Sequence, residues 1–373
     1  MAHQSILILS VSAGAGHVRA AQALAATAAR EYPHAKVTHL DVMDFVPKSF
    51  RKIYADSYIK LVDKAPLLWS YLYQSTDTAD KDSLLTKLRR NIERLNTRAL
   101  KKEMQAIAPD VILCTHFLPA ELASKRIERG DAMPPIWVQV TDFDVHGFWI
   151  HPHMAGYFVA NDEVAARLHA RGIPAANIHV TGIPIMPQFS VKLDKAICAQ
   201  EVGVDPNKPT LLMMSGGLGV GNIASMARDI LQIAGDFQVI ALAGKNEAML
   251  NELNTLAQQY PQRLFPMGFT KTIERLMTVA DVAITKPGGL TSSECVAMHL
   301  PMIVVSPIPG QEERNADYLL ESGAALKAVD TPALCHKVKV LLQHPQQLKQ
   351  MRENMKRIAR PHAASDVLKR VMA

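Results

Sequence analysis

Cysteine is scarce in this chain of 373 residues: Cys114, Cys198, Cys295 and Cys335 are the four present, and no two have paired spacing. Neither a zinc knuckle nor a disulfide framework is expected from that pattern, and a reducing cytoplasm fits it. Long apolar runs are also missing, and no segment has the length or purity of a membrane-spanning helix. The early run from Ile6 to Val11 has no basic stretch before it and ends in a glycine-rich turn, so it reads as a buried strand and not a leader. Contact with a membrane is therefore expected to be peripheral. Aromatics are only 6% of the chain, while 48% hydrophobic and 20% charged residues mark an ordinary globular protein, neither disordered nor fibrous. A net charge of +6 favours anionic partners, whether nucleotides, nucleic acid or an acidic lipid surface.

The length exceeds what one hydrophobic core usually serves, so two domains are expected. Ser5 to Ser10 reads as a strand, Ser12-Ala13-Gly14-Ala15-Gly16-His17 as a loop, Val18 to Glu31 as an Ala-rich helix, and Val37 to Leu40 as a strand ending at Asp41. That order is the opening of a Rossmann unit, although Arg19 stands where the dinucleotide fingerprint has its third glycine. His17 is either a solvent-facing loop histidine or a group with a chemical task. Strands at Val111 to Cys114, Ile136 to Val140 and Tyr157 to Ala160 continue a parallel sheet. Between the last two lies Thr141-Asp142-Phe143-Asp144, followed by His146, Trp149, His151 and His153. Asp142-Phe143-Asp144 imitates a cation-chelating acid pair, but the histidines fit no standard helical ligand pair, so no metal site is expected there.

The turn residues from Thr181 to Pro187 and from Asp205 to Pro209 mark the change of domain. Beyond them the opening design recurs: a strand at Thr210 to Met214, a loop at Ser215-Gly216-Gly217-Leu218-Gly219, and a helix at Ile223 to Ala234. Strands follow at Val239 to Ala243, Val282 to Thr285 and Met302 to Val305. Two Rossmann-like domains facing across a cleft are the expected α/β fold, with residues 1–190 as the first, 191–350 as the second, and a C-terminal helix in 351–373 that packs back on the first.

Within the second domain, Lys286-Pro287-Gly288-Gly289-Leu290-Thr291-Ser292-Ser293-Glu294 takes a strand through two glycines into a helix. Free backbone N–H groups at the positive end of a helix dipole suit a phosphate or diphosphate. Glu294 can accept hydrogen bonds from a ribose diol, and Gln311-Glu312-Glu313 opens the next helix with groups suited to sugar hydroxyls. Between the domains' strands, Phe50 to Gln105 is helical in pattern and mixes aromatic with basic residues, among them Phe50, Arg51, Lys52, Lys60 and Trp69. Such a stretch is either a basic-faced helical insertion or a device for a lipid headgroup boundary.

Ser10-Val11-Ser12-Ala13-Gly14-Ala15-Gly16-His17, Thr141-Asp142-Phe143 with His146 and Trp149, Ser215-Gly216-Gly217, Thr285-Lys286-Pro287-Gly288-Gly289 with Glu294, and Pro309-Gly310-Gln311-Glu312 with Asn315 together resemble the diacylglycerol glycosyltransferases. That family includes the plant monogalactosyldiacylglycerol synthases and bacterial processive glucosyltransferases, and is related to the peptidoglycan transferase that forms lipid II. The resemblance runs in order over nearly the whole chain. It implies a GT-B fold, an inverting mechanism and a UDP-sugar donor held mainly by the C-terminal domain. Glu294 would then bind the ribose, Gly268 and Phe269 the uracil, and Gly16, Ser215, Gly216, Gly217, Lys286, Gly288, Gly289, Thr291 and Ser292 the diphosphate side of the donor. Gln311 and Glu312 would hold the transferred hexose or hexuronate; Arg314 beside them can pair with a sugar carboxylate or with Glu313 and Asp317 on its own helix. His17 is the implied general base, which Asp142 either orients or replaces. Phe50, Arg51, Lys52, Lys60, Trp69, His146 and Trp149 are expected on the acceptor and membrane side.

The implied partners are a UDP-sugar, diacylglycerol and an anionic membrane surface at the cytoplasmic face, and not nucleic acid. No cofactor is obligatory, with room for stimulation by a divalent cation. Three rival functions stay open on the residues. One is a UDP-N-acetylglucosamine transferase acting on a polyprenyl-diphosphate lipid, another an NAD-linked oxidoreductase resting on Gly14, Gly16 and Asp41, and the last a non-catalytic lipid-binding protein.

Overall fold

The structure is a computed structural model and describes residues 5–12, 14–46, 97–214 and 222–373. The chain forms two compact units: Met1–Pro187 with Ile308–Gln311 and His362–Ala373, and Gln188–Pro307 with Glu312–Pro361.

In the first unit the order is β1 (Ser5–Ser10), α1 (Ala15–Glu31), β2 (Lys36–Asp41), α2 (Thr97–Ile107), β3 (Val111–Cys114), α3 (Phe117–Glu128), β4 (Ile136–Gln139), β5 (Gly156–Val159), α4 (Asp162–Ala170) and β6 (Ile178–Val180). The strands pair in parallel in the order β2-β1-β3-β4-β5-β6. Parallel strands need helical crossovers, which cover both faces of the sheet. That is why Ile6, Leu7, Ile8 and Leu9 form an unbroken apolar run: Leu7 and Leu9 face one core, Ile6 and Ile8 the other.

The second unit runs α5 (Lys195–Val202), β7 (Thr210–Met214), α6 (Ile223–Leu231), β8 (Gln238–Gly244), α7 (Glu247–Ala257), β9 (Leu264–Gly268), α8 (Ile273–Val279), β10 (Val282–Thr285), α9 (Gly289–Ala297), β11 (Met302–Val305), α10 (Gln311–Glu321), β12 (Ala325–Ala328), α11 (Thr331–Gln343) and α12 (Pro345–Ile358). Its sheet is again parallel, in the order β12-β11-β10-β7-β8-β9. The last helix, α13 (Ala363–Val371), belongs to the first unit. There Val367, Leu368 and Val371 share a core with Ala21, Leu24 and Ala28 of α1, and Ser365 Oγ donates to Glu31 at 2.8 Å. The 351–373 stretch is thus shared between the units, which change over at Pro187/Gln188 and Pro361/His362 and exchange the short stretch Ile308–Gln311 in between.

The α/β class with two Rossmann-like halves is as the sequence indicates. Three strands are additions: β6, β9 and β12 were not expected, and all three lie at a sheet edge. An edge strand is buried less completely, so its apolar pattern is weak, and β9 even tolerates Pro266. One helix start shifts: α1 begins at Ala15 instead of Val18, so His17 sits in a helical first turn and not in a loop; α9 begins at Gly289 with Thr291 and Ser292 in its first turn. Among the described residues no helix is long and apolar enough to cross a membrane.

Candidate active site

In the first unit, β1 ends at the buried Ser10 and the chain turns into α1 at Gly14, whose φ of −170° and ψ of 155° are extended backbone. No side chain caps this helix start. His17, third residue of α1, is half-buried, and its Nδ1 lies 3.1 Å from the Thr115 carbonyl oxygen and 2.8 Å from Thr141 Oγ1. Thr115 directly follows β3, and Thr141 follows β4 by one residue, so adjacent strand ends of the sheet supply both partners. Thr115 Oγ1 in turn donates to the His17 carbonyl at 2.9 Å. The His116 ring meets that of His17 edge-on at 4.5 Å, and Trp149 stands 6.1 Å away. Loss of hydration in this setting pushes the His17 pKa down to about 4, with the bond to Thr115 opposing the shift. The ring is therefore neutral near neutral pH, as a proton acceptor must be.

The loop after β4 delivers Asp142, half-buried, directly beside Thr141. His146 and Trp149 are each only 3% exposed. His146 caps a short 3-10 turn, its Nδ1 accepting the Phe148 N–H at 3.1 Å, and Trp149 belongs to the core below. Trp149 thus stands beside the His17 ring, while His146 holds the turn that carries Trp149; both are too buried for an exposed membrane-facing position. Gly16 lies in the first turn of α1, next to His17. Asp41, the acid on which the NAD reading depends, accepts the Ser12 N–H at 3.2 Å and the Met43 N–H at 2.9 Å through Oδ1, so it braces its own turn.

In the second unit, β10 leads through Lys286, Pro287 and Gly288 into α9. Gly288 precedes the helix with no side-chain cap, and the first bond inside it runs from Ser292 N–H to Gly288 O at 2.9 Å. The N–H groups of Gly289, Leu290 and Thr291 are thus without a partner in the helix, at the positive end of its dipole. Ser292 is 0% exposed and its Oγ has no hydrogen-bond partner. Burying an unpaired hydroxyl is costly, so its presence at this turn fits a site completed by an anionic ligand. The turn is pinned from behind by Asn315 Nδ2, which donates to Pro287 O at 3.1 Å. A Cβ built on Gly288 would come within 3.8 Å of Glu312 Oε1, so that carboxylate hangs over the turn. Glu294 is half-buried one turn into α9, and Gln311 opens α10 beside Glu312.

At the other side of this sheet Gly268 ends β9, and Phe269 presents an aromatic ring that is 57% exposed. Lys245 Nζ lies 5.4 Å over that ring, from the turn after β8. An exposed aromatic face with a cation beside it, at the carboxyl ends of parallel strands, suits a nucleobase next to phosphate. A cavity of about 270 Å³ in this unit lies elsewhere, at the opening residues of β7 and β10, where Asp281 already pairs with Lys195 and Arg352. It is not part of the candidate site.

The structure thus places His17, Gly16, Asp142, His146 and Trp149 in the first unit, and Lys286, Gly288, Gly289, Thr291, Ser292, Glu294 and Glu312 on α9, α10 and the turn before α9 in the second, with Gly268 and Phe269 at the end of β9; Gln311, the first residue of α10, falls with the first unit. Ser215, Gly216 and Gly217, and the segment carrying Phe50, Arg51, Lys52, Lys60 and Trp69, lie outside the described residues. Thr115, His116 and Lys245 are not singled out by the sequence, and Thr141 enters there only as the first residue of Thr141-Asp142-Phe143. Their signal is positional, since each falls within two residues of the carboxyl end of a parallel strand.

Two Rossmann-like halves, one presenting a half-buried imidazole and the other an uncapped glycine-led helix start, have the parts that a glycosyltransferase of the GT-B class requires. Comparison with known proteins makes this specific. The monogalactosyldiacylglycerol (MGDG) synthase family model matches residues 17–185, and that of the glycosyltransferase family 28 C-terminal domain matches residues 214–371. A processive diacylglycerol beta-glucosyltransferase of Bacillus cereus (strain AH187) is 32% identical over 381 residues, covering 99% of this chain and 93% of its own. Among solved structures, MurG of Acinetobacter baumannii superposes with a TM-score of 0.64 at 16% identity, covering 99% of both chains. The UDP-GlcNAc 2-epimerase from Neisseria meningitidis bound to UDP-GlcNAc also reaches 0.64, at 13% identity, with 99% of this chain and 100% of its own covered. A transferase and an epimerase thus share the fold, and the sequence relatives make the distinction. The chain belongs to the diacylglycerol glycosyltransferase family.

Proposed function

We propose that this protein transfers a hexose, glucose in the first instance, from UDP-glucose to the free hydroxyl of diacylglycerol at the cytoplasmic face of a membrane. The observation that carries the substrate choice is the full-length similarity to a processive diacylglycerol beta-glucosyltransferase. The chemistry follows from the two sites. An alcohol is a poor nucleophile until a base takes its proton during attack, and the neutral His17 ring supplies that base. The alcohol oxygen bonds to the anomeric carbon, the bond from that carbon to the diphosphate oxygen breaks, and UDP departs with the electron pair. A single displacement of this kind inverts the anomeric centre. Negative charge that grows on the leaving diphosphate is met by the open N–H groups of α9, by Ser292 and by Lys286, so no metal is obligatory. Glu294 takes the ribose diol, Phe269 the base, and Gln311 and Glu312 the sugar. The segment containing Arg51, Lys52 and Lys60 gives the peripheral contact with anionic lipid.

Expression in a host that lacks glycolipids, followed by mass spectrometry of extracted lipids, tests this. Glucosyl diacylglycerol is the expected product. N-acetylglucosamine on a polyprenyl diphosphate, with diacylglycerol unmodified, would replace this reading with the lipid II type of transfer.

A further inference from the structure

His17 differs from the histidines around it in which ring nitrogen is engaged and how. Its Nδ1 faces two oxygens, the Thr115 carbonyl at 3.1 Å and Thr141 Oγ1 at 2.8 Å. A carbonyl oxygen has no hydrogen to give, so the hydrogen on that line belongs to Nδ1. The Thr141 hydroxyl, on the same side of the ring, then receives it with a lone pair. His116 and His146 keep the opposite arrangement. Nδ1 of His116 accepts the Leu118 N–H at 3.0 Å, and Nδ1 of His146 accepts the Phe148 N–H at 3.1 Å, which leaves the hydrogen of each neutral ring on Nε2. That is the form a free imidazole prefers. His17 is the inverted member of the three.

We propose that Thr141, acting with the main-chain carbonyl of Thr115, is a positioning residue that holds His17 in its Nδ1–H tautomer and so keeps the Nε2 lone pair for the acceptor hydroxyl. This rests on the reading of His17 as the base. Thr115 contributes twice, because its hydroxyl also donates to the His17 carbonyl at 2.9 Å and ties the first turn of α1 to the end of β3. Backbone and ring of the base are thus fixed by one strand end, and its tautomer by that strand end and the next. The choice of a neutral hydroxyl has a chemical consequence. A carboxylate at Nδ1 would enforce the same tautomer but would also stabilise the imidazolium and raise the ring's pKa. Threonine orients the ring without that effect, in keeping with the low pKa that burial gives it.

The test combines spectroscopy with kinetics on the full chain. In a protein labelled with nitrogen-15 at histidine, the His17 signals, identified by their loss in His17→Gln, should show hydrogen on Nδ1. Thr141→Val removes the nearer of the two accepting oxygens at nearly constant shape, leaves the Thr115 carbonyl, and should raise the share of the Nε2–H form. It should lower kcat about fivefold, the worth of one ordinary hydrogen bond, with the KM for UDP-glucose little changed. Thr141→Ser, which keeps the hydroxyl, should restore both the tautomer and most of the turnover. A wild-type His17 with its hydrogen on Nε2 would overturn the proposal without any variant being folded. So would a Thr141→Val protein that keeps the wild-type tautomer and kcat while His17→Ala is inactive; that pair of results leaves the base intact and removes only the positioning role. Turnover that survives in His17→Ala would instead overturn the base reading, and the catalytic half of this proposal with it.

Discussion

The turn after β1 and the turn after β10 are built alike and equipped differently. Both follow a buried parallel strand, both pass through glycine, and both open a helix that no side chain caps, α1 at Gly14 and α9 at Gly288. In contrast, α4, α5, α6, α7 and α11 each begin with an Asn or Asp whose side chain accepts a backbone N–H. Omitting the cap leaves donors free for something else. At α1 the first turn carries His17, tied down at Nδ1 by two threonine oxygens. At α9 it carries Ser292, buried and unpartnered. One architecture therefore carries a histidine in one unit and a buried serine in the other, which is the basis for proposing a proton acceptor at the first and an anion cradle at the second.

If the labour is divided in this way, substitutions in the first turn should act on turnover and those in the second on binding. The largest effect is expected for His17→Ala. Loss of a general base costs roughly 10²- to 10⁴-fold in kcat, whereas the UDP dissociation constant, measured by calorimetry, should stay where it is. A fall in UDP affinity instead would merge the two roles. Glu294→Ala should do the converse: a charged hydrogen bond to the ribose is worth about 1.5–3 kcal/mol, or roughly 10- to 150-fold in UDP affinity. Unchanged affinity would remove Glu294 from the donor site.

Ser292→Ala sharpens the comparison because two readouts should move in opposite directions. UDP binding should weaken by a few fold, as expected for about 1 kcal/mol of lost hydrogen bond. The ligand-free protein should be as stable as wild type or more so, since an unpaired buried hydroxyl is gone. A lower melting temperature without UDP would show that the hydroxyl serves the fold and not the ligand.

The smallest effect is a pH response that should be nearly absent. A ring with its pKa near 4 stays neutral well into the acid range, so kcat/KM should fall less than about twofold between about pH 7 and 5.5. A ring at the ordinary value of about 6.5 would give close to a tenfold fall. The linked stability effect has the same origin. Because the folded pKa lies below the unfolded one, the unfolded chain takes up the proton first. The contribution of His17 is fully present above about pH 6.5 and is lost as pH falls from there through about 4.

Much of the α9 turn was legible in the sequence, because Gly288, Gly289, Ser292 and Glu294 lie within seven residues of one another and a strand-to-helix turn brings them together by local geometry alone. The surroundings of His17 were not. Thr115 and Thr141 are 98 and 124 residues away along the chain, and only the strand order β1-β3-β4 makes them neighbours. The same order puts Thr141 Oγ1 against the His17 ring, a contact that no local pattern around Thr141-Asp142 announces. Interior strands announced themselves by their apolar runs, whereas β6, β9 and β12, covered on fewer sides, did not. Trp149 and His146 looked like surface equipment because loops usually are, yet this loop folds back onto the core.

His17 as the proposed base and the α9 turn as the proposed donor site are tested together most directly by one assay. Purified wild type and His17→Ala are each incubated with UDP-glucose and vesicles containing diacylglycerol and an anionic lipid, and the lipids are read by mass spectrometry alongside UDP calorimetry. Wild type should yield glucosyl diacylglycerol, and His17→Ala almost none while binding UDP as tightly as wild type. Product from His17→Ala at the wild-type rate, or a wild type that binds UDP but leaves diacylglycerol untouched, would contradict this account.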